Sequence, residues 1–246
     1  MIKPIILSPF LALDSLLDTD YTIRVSNAFR GFHNNRYKLS TDDLCFVHVP
    51  KTAGTSIAKY FEVLREYAFG INICYKNHCP VSIYADPAIY KYTTCHRDPF
   101  ERVWSYYQMS IRDCGNSYHK YTTHDSLEYF INHCWECRNM MTKYMTANLS
   151  DNLNNKSVQL ARDNLKMFFW VFDFDNLTSS LELFTKKYFN YCAPPSMTND
   201  IPVIPQFHSR SSSYRPPSRE ELLIIKYYNK YDISLFDLWK QDQCFS

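Results

Sequence analysis

Apolar positions along the chain fall into two alternating patterns, short runs of strand length and longer stretches at helical spacing. Residues 44–49 form a short run of strand-forming residues that Pro50 breaks, and a loop of small residues with one Lys follows. Apolar positions then recur at helical spacing and predict a helix over residues 55–67. Residues 69–75 read as a second strand, 76–80 as a turn and 81–90 as a helical segment limited by Pro87. A third strand at 92–96 ends in Arg97-Asp98-Pro99, where Asp98 suits a helix N-cap and Pro99 the first helical position. The helix this opens, 99–112, carries Phe100, Val103, Trp104 and Tyr107 on its apolar side.

Beyond it, 113–125 is polar and reads as a surface loop, and 126–137 and 139–146 look helical. A loop at 150–156 leads to a helix at 157–166. The continuous apolar run 167–172 suits a buried parallel strand. A helix at 177–188 is followed by a long Pro/Ser-rich loop over 193–217, and one or two amphipathic helices over 219–240. Alternating strand and helix patterns argue an α/β fold, a parallel sheet with helices on both faces. The pattern assigns 1–40 to an N-terminal extension and 41–246 to a single domain, with no internal repeat.

Composition changes this picture at few points. A chain of 246 residues can bury a full core, and its net charge of +2 gives no field that argues for nucleic acid as partner. With only 4 glycines in the chain, the one at Gly54 carries information. The 20 Tyr and 17 Phe read as core and interface packing. No apolar run approaches the roughly 20 residues of a membrane span. Residues 5–17 come nearest but are interrupted by Pro9 and Asp14, and Lys3 alone makes a weak signal-peptide start, so the expected location is cytoplasmic. The 9 cysteines follow no framework spacing. Cys134 and Cys137, with His133 alongside, would need two further zinc ligands, for which Cys114 or His124 are forced choices; they read as free thiols.

The chemistry concentrates in the two strand–loop–helix units. A strand, a tight loop and a helix start present backbone N–H groups to an anion, to which Lys51 adds a point charge and Thr52, Thr55 and Ser56 add hydroxyls. The Lys precedes the Gly, so this is not the Walker order G-x-x-x-x-G-K-[ST]. The second unit offers Arg97 on its loop and Ser105 two turns into its helix; they converge only if Arg97 folds back over the helix start. Two such units suggest a ligand with two separated anionic groups.

Phe46-Val-His-Val-Pro-Lys-Thr-Ala-Gly-Thr-Ser56 resembles the 5′-phosphosulfate-binding loop of sulfotransferases, F-x-H-x-P-K-T-x-G-T-S. Residues 94–107 resemble their 3′-phosphate motif, R-D-P-x-x-R-x-x-S-x-Y. The nearest branch is the carbohydrate type, with heparan sulfate 2-O- and chondroitin sulfotransferases and bacterial relatives. Over 139–188 the chain is more weakly similar, and it departs from the family at Val171-Phe-Asp-Phe-Asp175, where Val-Gly and a Glu are common. The acceptor region has little similarity.

This resemblance implies a P-loop NTPase-like three-layer fold, a central parallel sheet flanked by helices. It implies transfer of a sulfuryl group from 3′-phosphoadenosine 5′-phosphosulfate (PAPS) to a hydroxyl, of a saccharide in this branch, leaving PAP and needing no metal. Carried onto this chain, Pro50, Lys51, Thr52, Ala53, Gly54, Thr55 and Ser56 would hold the 5′-phosphosulfate, and Arg97 and Ser105 the 3′-phosphate. Lys51 would neutralise the leaving phosphate, and each charge-assisted donor would contribute roughly 1.5–3 kcal/mol. His78, in a stretch that loosely resembles the family's catalytic His region, is the expected general base, with Glu62 the alternative. Arg210, between Ser209 and Ser211, is a candidate lid over the nucleotide. His48 and His96 are expected to be structural, and Arg102 to pair with a neighbouring carboxylate. The competing readings are a P-loop kinase-like protein and a PAP-binding module that has lost its base.

Overall fold

A computed structural model describes residues 44–67, 73–76, 80–81, 91–124, 126–192 and 215–243. Four parallel strands form one sheet: β1 (Leu44–Val47), β2 (Ile73–Lys76), β3 (Lys91–His96) and β4 (Trp170–Asp173), in the order β2-β1-β3-β4. Around them lie α1 (Gly54–Tyr67), α2 (Pro99–Arg112), α3 (Leu127–His133), α4 (Met140–Thr146), α5 (Asn155–Met167), α6 (Leu177–Cys192), α7 (Arg219–Tyr228) and α8 (Lys230–Gln243).

β1 and β3 are buried along their whole length, which explains why β1 reads as an unbroken apolar run rather than an alternation, while β3 buries Lys91, Thr93, Thr94 and His96 alongside its apolar residues. The pleat sends Leu44 and Phe46 to one face, where they meet Ile57 and Phe61 of α1, Phe172, and Leu181 and Phe184 of α6. It sends Cys45 and Val47 to the other, against Met141 and Tyr144 of α4, Val158 and Leu165 of α5, and Leu235 of α8. The result is three layers, helix on sheet on helix. A third apolar cluster, Val103, Trp104, Tyr106 and Tyr107 with Phe130, Ile131 and Ile225, joins α2 to α3 and α7. Among the described residues no helix is long and apolar enough to cross a membrane.

Two boundaries differ from the sequence reading for physical reasons. The apolar run 167–172 is divided between two elements: Met167 closes α5, and the ladder begins where the Phe169 N–H meets Tyr92 O at 2.9 Å. A continuous apolar run has no period, so it cannot report where a helix hands over to a strand. The helix expected over 126–137 breaks at Cys134, whose extended backbone (φ −108°, ψ 90°) separates α3 from a 3-10 turn, Trp135–Cys137. The helical segment expected at 81–90 lies outside the described residues beyond Val81, whose N–H is bonded to Tyr144 O at 2.9 Å. The strand expected at 69–75 is described only from Ile73. The N-terminal extension and most of the loop at 193–217 also lie outside.

A buried polar network ties α2 to the C-terminal helices. Arg102, fully buried, meets the equally buried Asp232 of α8 at 3.6 Å. It also donates to Glu136 O at 2.9 Å and to Asn229 Oδ1 at 3.4 Å. Asp232 in turn caps α4, accepting from the N–H groups of Met141 (3.0 Å) and Thr142 (2.8 Å) and from the Thr142 hydroxyl (2.9 Å). Asn139, the left-handed residue before α4 (φ 48°), returns the favour: its Oδ1 accepts from the N–H groups of Tyr231 (2.9 Å) and Asp232 (3.2 Å) at the start of α8. The carboxylate expected to pair with Arg102 is thus found, on the last helix.

Asp232→Ala strips two amides and a guanidinium of their acceptor inside the core, a class of change that costs about 3–5 kcal/mol. Urea unfolding should show a lowered midpoint with an unchanged slope; a loss under about 1 kcal/mol would mean that Arg102 finds another counter-ion.

Candidate functional site

The chain leaves β1 for β2 on one side and returns to β3 on the other, so the connections diverge between β1 and β3. The crevice beyond the carboxyl ends of such strands is where open α/β sheets bind ligands. The loops that fill it here are 48–53, after β1, and Arg97-Asp98, after β3.

The first loop is held in an unusual shape. Lys51 (φ 66°) and Ala53 (φ 60°) both lie in the left-handed region, which for residues with a Cβ costs roughly 1–2 kcal/mol each. Between them Thr52 is fully buried, and its hydroxyl donates to Val49 O at 2.8 Å. That hydroxyl is a staple for the loop. Left-handed residues alternating with others turn successive N–H groups into one concavity.

Directly after it, α1 begins at Gly54 with no acidic residue in its first turn and with Ala53, which has no side-chain acceptor, before it. The amides of Gly54, Thr55 and Ser56 therefore have no intrahelical carbonyl to reach. Ser56 is buried and its Oγ has no hydrogen-bond partner among the described residues, whereas Thr55 is exposed. Gly54 is explained by contact: a Cβ there would fall within the imidazole of His48. His48 also stacks on Phe46, with centroids 5.7 Å apart, in line with the structural part expected of it.

The second loop reaches into the first. Arg97 Nη1 donates to Lys51 O at 2.9 Å, while its guanidinium lies 4.0 Å from the Phe174 ring centroid and 3.6 Å from Glu101. Arg97 does fold back over the helix start. Asp98 Oδ1 caps α2 through the N–H groups of Phe100 (2.8 Å) and Glu101 (3.1 Å), which fixes the departure angle of that helix.

The Lys51 ammonium lies 3.3 Å from Met109 Sδ on α2, and burial, with Arg97 and Arg112 nearby, lowers its pKa below the ordinary 10.5. Glu101, Ser105, Met109 and Arg112 fall at helical spacing on one stripe of α2. Arg97 touches that stripe at Glu101 and Lys51 touches it at Met109, so Ser105 falls on the stripe between those two contact points.

The geometry thus gathers Pro50 to Ser56, Arg97 and Ser105 at one sheet edge. His78 and Arg210 lie outside the described residues. The chain re-enters at Arg215, whose carbonyl accepts from Trp104 Nε1 at 2.7 Å, beside Ser105. Glu62 is exposed on α1, about 12 Å along the helix axis from Gly54, and is not brought to the loop. His96 is buried between Phe236 (5.7 Å) and Trp239 (4.8 Å), where burial and Lys240 push its pKa down to about 3, the setting of a neutral structural ring. Cys134 and Cys137 are buried in the cluster under α2, and burial raises the Cys134 thiol well above its usual range. Sequence reasoning missed Met109 and Arg112. The signal was a helical stripe extended about two turns past Ser105.

Two outcomes test this geometry. Because Lys51 has a lowered pKa in the folded chain, its charge penalises the fold fully below that pKa, and the penalty vanishes as pH rises past 10.5. Lys51→Met should accordingly be more stable than wild type at pH 7, with the gain gone above pH 10.5, as read by urea unfolding at both values. Gly54→Ala should destabilise by about 1–3 kcal/mol through overpacking against His48, and His48→Ala in the same chain should restore most of the loss.

Neither a scan against protein-family models nor a search of curated proteins returns a match for this chain, so the site is read from its geometry and from the motif resemblance.

Proposed function

We propose that this chain is a PAPS-dependent sulfotransferase with a P-loop NTPase-like fold, moving a sulfuryl group to a hydroxyl of a saccharide acceptor. The observation that carries the reading is the hydrogen bond from Arg97 to the Lys51 carbonyl, which joins the two motif loops at the switch point of the sheet. A ligand with phosphates at its 3′ and 5′ positions has anionic ends suited to such a paired site.

The residues fit that ligand in character. The orphaned Ser56 hydroxyl and the first-turn amides of α1 suit a phosphate. Lys51, desolvated and beside two guanidiniums, is a cation whose charged form an anion would stabilise. PAPS, when bound, supplies a sulfuryl group activated by its link to phosphate. The acceptor oxygen bonds to sulfur as the sulfur–oxygen bond to that phosphate breaks, and the acceptor proton passes to a base, for which His78 is the candidate. Lys51 offsets charge on the departing phosphate oxygen. Arg97 and Ser105 fix the 3′-phosphate, and the rigid α2 stripe sets the distance between the two ends.

Calorimetry should show 3′,5′-ADP binding to wild type without added metal, and binding weakened about tenfold or more in Arg97→Ala. With radiolabelled PAPS and a panel of polysaccharides, Lys51→Ala should lower transfer by about 10²–10³-fold. A wild-type protein that binds no 3′,5′-ADP would falsify the reading.

A further inference from the structure

Arg112, which neither motif contains, stands one turn beyond the point where Lys51 meets α2. Its Nε donates to Gln108 O at 3.1 Å, a bond to the carbonyl four residues earlier that turns the guanidinium back along the last turn of the helix. That turn includes Met109, whose thioether is the only side-chain acceptor found by the Lys51 ammonium among the described residues, at 3.3 Å. A thioether is a weak acceptor. Arg97 has Glu101 and the Phe174 face for company, but neither Lys51 nor Arg112 has a carboxylate partner among the described residues. The Lys51 ammonium rests on Met109, one turn before Arg112 on α2, and burial, with Arg97 and then Arg112 nearby, lowers the Lys51 pKa. Such a pair of cations is relieved by an anion placed between them.

The cradle already has the donors for one phosphate: the loop amides, the first turn of α1 and Ser56. Lys51 and Arg112 lie past it, toward the C-terminal end of α2. A planar guanidinium offers a fork of donors suited to a tetrahedral oxyanion with several terminal oxygens, and the ammonium offers a point charge. We propose that Arg112 holds the terminal sulfonate oxygens of the donor, next to the bridging oxygen that Lys51 faces, and so distinguishes PAPS from its product. The assignment rests on the reading of the chain as a PAPS-dependent enzyme. In it Arg112 neither gives nor takes a proton. Once the sulfonate has moved to the acceptor, Arg112 loses its partner while the cradle and Arg97 keep theirs, which favours exchange of product for fresh donor.

The test is a pair of binding measurements by calorimetry, without acceptor, on wild type, Arg112→Ala and Arg112→Lys. Arg112 is exposed, so neither variant should lower the unfolding midpoint, and Arg112→Ala should leave it equal or slightly raised as the repulsion on Lys51 is relieved. Expected in Arg112→Ala is a PAPS affinity reduced about tenfold with 3′,5′-ADP affinity unchanged, and in Arg112→Lys a partial recovery for PAPS. An equal loss for both ligands, or no loss for PAPS, overturns the assignment. A second readout needs no ligand: the titration of Lys51, followed by pH-dependent acetylation and peptide mass spectrometry, should shift upward in Arg112→Ala. An unshifted Lys51 means that the two cations do not face each other and also overturns it. If wild type binds neither ligand while Lys51 still responds to Arg112, the donor reading has failed and the assignment falls with it. Normal wild-type binding with no selective loss in Arg112→Ala sinks the Arg112 assignment alone.

Discussion

The buried pair of Arg102 and Asp232 is the constraint on which the site depends. Two charges taken wholly out of water cost several kcal/mol apiece unless hydrogen bonds replace the lost solvent, and here every side-chain nitrogen and oxygen of the pair except Arg102 Nε, which has no partner among the described residues, contributes to that replacement. Asp232 receives two amides and a hydroxyl from α4, and Arg102 donates to a carbonyl and an amide oxygen. The helix that carries Arg102 also carries Ser105, Met109 and Arg112, so the rotation of α2 about its axis is set by a contact on its buried side. Because the pair satisfies only one arrangement of α2, α4 and α8, it favours orientation over raw stability.

Against that rigid back wall, the loop after β1 holds strain. Lys51 and Ala53 adopt backbone conformations that cost energy, offset by the Thr52 staple, the guanidinium of Arg97 on the Lys51 carbonyl, and the packing of Ala53 with its carbonyl bonded to the Ile57 N–H. The cations crowded beside this strained backbone raise the cost further in the absence of an anion. Strain and like charge act in the same direction: both are relieved by the same class of ligand. The sheet supplies the stiffness that makes this arrangement tolerable, since β1 and β3 are buried along both faces and the Thr94 hydroxyl bonds across to Val47 O at 2.9 Å, at the very edge where the loops depart.

Much of this was legible in the chain itself. Pro50, and Asp98 with Pro99, mark where strands end; an apolar run of strand length places β1, helical periods place α1 and α2, and β3 is placed by the helix start that follows it. What could not be read is of two kinds. One is local geometry that overrides residue type: the Thr52 hydroxyl turns inward only because its neighbours are left-handed, and Gly54 is required because His48, six positions earlier, folds over it. The other is distance along the chain. That Arg102 would find a carboxylate follows from burying a guanidinium, but that it would be Asp232 depends on the packing of α8. Arg112 carries no motif and becomes informative only once the Lys51 ammonium is seen to rest on Met109. The parting of α5 from β4 within 167–172 was hidden because apolarity there has no period.

The reciprocal capping of α4 and α8 has a consequence for the order in which the protein is made. Arg102 and Asn229 are 127 residues apart in sequence, and although the Asp98 cap on α2 is local, the buried contacts of Arg102 with Asn229 and Asp232 are of this long-range kind. On the ribosome the loop after β1 emerges early, yet the helix it works against has no counter-ion until the last helix has been synthesised. The nascent chain therefore carries an unpartnered guanidinium and an unfinished core until α8 has emerged, and the site consolidates in one late step once Asn229 and Asp232 have joined the core.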